Sequence, residues 1–149
     1  MADAATISVT ATMLPDEIAK TIDGSMPVTP ADANHKWYYK LTSVTNSSND
    51  LIGGYYSNYT ALADSTAPQT VNVADTVAFL WIQNTDSSNA VYINIAAGTA
   101  AAAAGNITVG AGETWYARLG LTLAGSIHAI SSTSTVTCIV CAMFDDVSV

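Results

Sequence analysis

Charge is what this sequence has least of. Asp, Glu, Lys and Arg make up 11% of its 149 residues, against about 25% in an ordinary soluble domain. A monomer of this size normally covers itself with those side chains. Here the outside has to be built from Ser, Thr, Asn, Ala and Gly with apolar area left over, and large exposed apolar areas mark contacts with partners. Basic residues are scarcest: 4 Lys+Arg stand against 12 Asp+Glu, for a net charge of -8. Affinity for phosphate backbones and for anionic lipid comes largely from basic side chains, so neither nucleic acid nor a membrane surface is an expected partner. The acids are scattered, with Asp16-Glu17 and Asp145-Asp146 the only adjacent pairs, and the charge reads as an aid to solubility.

Reactive side chains are equally sparse. The two cysteines, Cys138 and Cys141, form a C-x-x-C. A redox pair of that spacing belongs at a helix start beside a βαβ unit. This pair lies inside the strand-like run 135–144, where positions three apart point to opposite faces, so the expectation is two structural thiols. The two histidines, His35 and His128, have no ligand spacing, and a zinc site needs more donors than these. There is no G-x-S-x-G elbow and no Gly-rich loop followed by Lys for a phosphate. Glu113 is one of only two glutamates; pairing it with Asp75 or Asp86 as the two carboxylates of a glycosidase has no pattern behind it. The expectation is a protein that is not an enzyme, with no cofactor and no metal. No stretch reaches the ~18 apolar residues of a membrane span. The opening Met1-Ala2-Asp3-Ala4-Ala5 lacks the basic and apolar regions of a secretory signal, so the chain is expected to be made and to stay in a cytosol.

What is abundant is strand grammar. Residues 6–13, 36–45, 77–83, 90–95, 106–109, 113–119, 126–130 and 135–144 are rich in β-branched and aromatic residues, bounded by turn clusters such as Asn46-Ser47-Ser48-Asn49-Asp50 and Gly110-Ala111-Gly112. Residues 77–83 and 90–95 flank a polar turn and form the clearest hairpin. The first of these strands is apolar on both faces, as in the centre of a packed sheet. The count of about eight or nine short strands predicts an all-β chain, a β-sandwich or jelly-roll-like barrel. Length predicts a single domain over residues 1–149. Residues 14–34 are set apart as an irregular arm or loop, with one short helix over 15–24: Pro15 and acids in the first turn, Ile18 and Ile22 on one face, Gly24 as a stop. The Ala/Gly run 96–105 has no amphipathic stripe and is read as a loop. Trp81 and Trp115 are expected to fill the core. Tyr55, Tyr56 and Tyr59, beside the Gly53-Gly54 pair, are the candidate interface residues, since Tyr is enriched at protein contacts.

The stretch Phe79-Leu80-Trp81-Ile82, a polar turn, Val91-Tyr92-Ile93-Asn94-Ile95, an Ala/Gly loop and then Ala111-Gly112-Glu113-Thr114-Trp115-Tyr116-Ala117-Arg118-Leu119 resembles the small β-structured virion proteins of tailed phages. The resemblance covers under a third of the chain and carries no reactive residue. It implies a capsid decoration or cement protein that stabilises a phage head through protein–protein contacts. The implied partners are the major capsid protein or other virion proteins and further copies of itself, a trimer by preference. The implied location is the virion, assembled in a host cytoplasm. A tail, neck or fibre component is the nearest alternative, although a fibre would bring repeats or a coiled-coil stem. A glycan-binding β-sandwich module, using Trp37, Trp81, Trp115 or the tyrosines as a stacking platform, is the alternative from another class.

Overall fold

The computed structural model describes residues 4–13, 20–30, 36–52, 73–96, 98–102 and 107–145. The chain divides into two compact units, Met1–Ala33 and Asn34–Val149, where length alone suggested one domain.

The first unit is a two-stranded antiparallel ribbon. Strand β1 (Ala5–Met13) pairs with β2 (Lys20–Val28) along its whole length, from Ala5 opposite Val28 to Met13 opposite Lys20. Over residues 20–28 this corrects the sequence reading of residues 14–34 as an irregular arm with a helix over 15–24. The i, i+4 spacing of Ile18 and Ile22 fits a helix, but Ile22, Gly24, Met26 and Val28 also keep a period of two. In the structure each sits opposite an apolar residue of β1. Cross-strand pairing, which local propensity does not see, decides between the two. Residues 14–19 and 31–35 lie outside the described part.

The second unit contains eight strands among its described residues: β3 (Lys36–Val44), β4 (Asn49–Asp50), β5 (Thr76–Asn84), β6 (Val91–Asn94), β7 (Ile107–Val109), β8 (Thr114–Leu123), β9 (His128–Ser131) and β10 (Val136–Asp145). They form two antiparallel four-stranded sheets, ordered β3-β10-β5-β8 and β4-β9-β6-β7. The pairs β3–β10, β4–β9, β5–β8 and β6–β7 nest inside one another like the rungs of one long hairpin. The pairs β10–β5 and β9–β6 then roll that hairpin into two layers, which corrects the expected hairpin of 77–83 with 90–95: β5 and β6 lie in different sheets. This is the strand order of an eight-stranded jelly roll. The helix-like exception among the described residues is a 3-10 turn, Ala124–Ser126.

One core lies between the layers. β10 supplies Val136, Cys138, Val140, Ala142 and Phe144; β5 supplies Val77, Leu80 and Ile82; β6 and β9 supply Val91, Ile93 and Ala129; Leu51 and Ile52 follow β4. Phe144 meets Tyr38 edge to face at 6.0 Å. Each fully buried Leu, Ile or Val contributes about 1.5–3 kcal/mol relative to exposure. Two buried hydroxyls, Thr42 Oγ1 and Ser131 Oγ, have no hydrogen-bond partner among the described residues.

One end of the roll is closed by Asn84, which is fully buried. Its Nδ2 donates to the carbonyls of Asn89 (2.8 Å), Gly110 (3.0 Å) and Val109 (3.2 Å), and its Oδ1 accepts from the Asp86 N–H at 2.9 Å. One side chain thus ties the β5–β6 loop to the β7–β8 turn. In that turn Gly112 takes φ +73°, a left-handed value suited to glycine. The Glu113 carboxylate accepts the Gly110 N–H at 2.7 Å. Asp86 Oδ1 accepts the N–H groups of Asn89 (2.7 Å) and Ser88 (2.8 Å). These bonds, Asn89 first, hold the Asp86 carboxyl below its ordinary pKa. The Ala/Gly run is irregular where described, as expected; its Ala100 is buried and donates its N–H to Ser48 Oγ at 2.8 Å.

Candidate functional site

The outer face of the β3-β10-β5-β8 sheet is the most unusual surface of the second unit. A sheet with one solvated face alternates apolar and polar residues. This one does not. Reading across the strands from the registers, one row is Trp37, Met143, Phe79 and Arg118. The next is Tyr39, Cys141, Trp81 and Tyr116, and the third is Leu41, Ile139, Gln83 and Thr114. Arg118 is the one charged residue in these rows.

A bulge creates this arrangement. Phe144 faces Val77 while its neighbour Met143 faces Phe79, so Ala78 is an extra residue in β5. Beyond it the alternation changes phase: Leu80, Ile82 and Asn84 turn into the core and Phe79, Trp81 and Gln83 turn out. The expectation that Trp81 fills the core is therefore corrected. Trp81 stacks on Tyr116 across the surface, with centroids 5.3 Å apart and planes at 18°. Trp115, opposite Ile82, is half-buried and packs on the core as expected.

Burial grades across the face. Trp37 meets Phe79 edge to face at 6.1 Å, and Phe79 and Met143 are buried. Tyr39 and Leu41, on the outermost strand, are 55% and 59% exposed. Trp81, Tyr116, Ile139 and Cys141 are half-buried. Cys138 and Cys141 point to opposite faces, as the strand period requires, and both are free thiols. Burial, then the negative charge of Asp86, pushes the Cys138 thiol up to about 12; burial raises Cys141 as well.

His128, Glu113 and Asp86 are engaged in structural bonds. His128 Nε2 lies 3.0 Å from Asp50 Oδ1 and 3.2 Å from the Gly125 carbonyl, joining β4, β9 and the 3-10 turn. Glu113 holds its own turn, and Asp86 holds the loop after β5. Among the described residues no three His, Cys, Asp or Glu side chains are grouped to hold a metal ion, and no helix is long and apolar enough to cross a membrane.

The sequence-derived interface candidates Tyr55, Tyr56 and Tyr59, like His35, lie outside the described residues. Sequence reasoning missed the face made by Tyr39, Leu41, Trp81 and Tyr116. Its signal was present, since residues 77–83 are apolar on both faces and Trp37, Tyr39 and Leu41 form an apolar row of period two. The family models, the curated proteins and the solved structures compared with this chain contain no match.

Proposed function

We propose that this chain is a structural protein of a virus particle, held in place by its neighbours, with the outer face of the β3-β10-β5-β8 sheet as the contact. The carrying observation is the open part of that face: the rows Tyr39-Cys141-Trp81-Tyr116 and Leu41-Ile139-Gln83-Thr114 carry no charge, Tyr39 and Leu41 are more than half exposed, and Trp81 stacks on Tyr116 at the surface. Aromatic side chains and Met are enriched, and most charges depleted, at the centre of protein interfaces. Jelly rolls serve in viral capsids, and also in lectins and cupins, so the fold permits the reading without choosing it. The tailed-phage resemblance favours a capsid decoration or cement role, with the major capsid protein and other copies of the chain as partners. A repeated lattice turns weak single contacts into firm attachment when the subunits are joined.

Quantitative mass spectrometry of purified particles tests this. The expected result is a copy number near that of the shell subunits. A copy number matching one ring would move the protein to the neck or tail, and absence from particles would remove the reading. A glycan-binding role has one observation in its favour, the surface aromatics. Against it, Trp81 and Tyr116 turn their ring faces toward each other and so offer less open ring face to a sugar. A glycan array with wild type and Trp81→Ala separates the two readings: binding lost on substitution would favour the glycan.

A further inference from the structure

The N-terminal ribbon has a two-sided chemistry that its own two strands cannot satisfy. One face pairs Ala5 with Val28, Ile7 with Met26, Val9 with Gly24 and Ala11 with Ile22, all apolar or glycine, and ends on Met13 opposite Lys20. The other pairs Thr6 with Pro27, Ser8 with Ser25, Thr10 with Asp23 and Thr12 with Thr21, and there Thr10 Oγ1 donates to Asp23 Oδ1 at 2.8 Å. Along the apolar face burial falls from Val28, which is buried, to Ile22, which is 52% exposed. A two-stranded ribbon is at best marginally stable alone and needs a third layer against its apolar side. We infer that this layer is the outer sheet face of a second copy of the chain, so that the ribbon of each copy lies on the β3-β10-β5-β8 sheet of another.

Three observations choose a second copy over an unrelated partner. Both surfaces belong to this one chain, so each copy carries a donor and an acceptor. Their lengths agree: β1, β2, β3 and β5 each have nine residues, and β-layers pack with strands nearly aligned. Neither surface carries an acid, since the only charge on the ribbon's apolar face is Lys20 at its end and the only one in the sheet rows is Arg118, which keeps the acids responsible for the net charge of -8 off the contact.

Area then decides the geometry. A nine-residue ribbon two strands wide offers roughly 30 Å by 10 Å, or about 300 Å² per side. One ribbon on one sheet buries about 600 Å² in total, short of the ~1,000 Å² that a stable contact requires, whereas reciprocal exchange buries about 1,200 Å². The exchange therefore closes, with every copy giving a ribbon and receiving one. This inference rests on the reading of the sheet face as a contact surface and names its occupant; it does not depend on the particle.

Light scattering on the full chain tests it, with Ile7→Asp in the ribbon, Leu41→Asp on the sheet, and Ser8→Asp on the ribbon's polar side as control. The expected result is an oligomer for wild type and Ser8→Asp, with a shift of at least tenfold in the dissociation constant for each of the other two. Because Ile7→Asp can act by disordering the ribbon itself, a second arm mixes a Val9→Cys chain with a Leu41→Cys chain, each also carrying Cys141→Ser. A disulfide joining the two chains supports exchange. Dissociation by Leu41→Asp alone, with no mixed disulfide, overturns the ribbon as occupant and leaves the face as a contact. A wild-type monomer, or an oligomer that neither substitution weakens, overturns both. A Val9–Leu41 disulfide formed within a single monomeric chain overturns exchange between copies.

Discussion

The β3-β10-β5-β8 sheet can be compared with itself, inner face against outer. Inside it presents Val77, Leu80, Ile82, Val136, Val140 and Ala142, with Tyr38 and Phe144 edge to face among them, all closed off from solvent. Outside it presents Trp37, Tyr39, Trp81 and Tyr116, broad rings on the same strands, with Phe79 already buried. Aliphatic side chains fill a closed space whose shape the chain itself fixes. Tyr and Trp bring large contact area together with a polar tip, which suits a surface that is wet before assembly and covered after it. Hydrophobicity alone does not separate the faces, since each carries both rings and aliphatic side chains; exposure does. The inner face should therefore govern folding and the outer one association.

Substitutions can break that division, beginning with the largest effect. Ile82→Ala removes fully buried volume beside Trp115 and Val140 and should lower unfolding stability by about 2–5 kcal/mol in a denaturant titration. Asn84→Ala leaves the carbonyls of Val109 and Gly110 without their donor at the closed end of the roll; a loss of about 2–3 kcal/mol is expected by the same measurement. Thr42→Val removes a buried hydroxyl without a described partner, and stability should hold or rise by up to about 1 kcal/mol. On the outer face Leu41→Ser should change the unfolding free energy of the dissociated chain by no more than about 0.5 kcal/mol while weakening association. If Leu41→Ser cost as much as Ile82→Ala, the two faces would not differ in role.

The cysteines sharpen the same comparison through pH. The Cys138 thiol in the core, pushed up to about 12, keeps its proton when folded, whereas an exposed thiol gives it up near 8.5. Between those values the native state holds more protons than the unfolded chain, so stability falls as pH rises through the window and is fully present below it. Cys138→Ala should flatten that alkaline decline in thermal melts at pH 9–11, and Cys141→Ala should do so less. Alkylation of the native protein at pH 8 should label Cys141 on the outer face before Cys138.

Much of the fold was legible because short strands announce themselves. The runs that became β1, β3, β5, β6, β7, β8, β9 and β10 are β-branched or aromatic and are bounded by turn residues, and the opposite facing of Cys138 and Cys141 follows from a period of two. Three features were hidden, each for a non-local reason. Strand β2 reads as a helix until β1 lies beside it. Strand β4 is only Asn49–Asp50 and exists through its pairing with Ala129 and His128. The phase change at Ala78 cannot be read from β5 alone, since Phe79 and Leu80 suit the core equally, and that one residue decides whether Trp81 lies inside or out. The candidate surface was hidden by the same bulge: sequence pointed to a tyrosine cluster, whereas the outer sheet face combines residues from four strands that only the nested pairing brings together.

Hydroxyl-radical labelling tests the central claim most directly, comparing Tyr39, Leu41 and Trp81 in the assembled state with the same residues in the full chain diluted until light scattering reports monomers. The account predicts strong protection of all three on assembly, with Thr133 and Thr85 at the roll's end labelled equally in both. Equal labelling of Tyr39, Leu41 and Trp81 in the two states would mean that nothing covers the face, and would contradict the account.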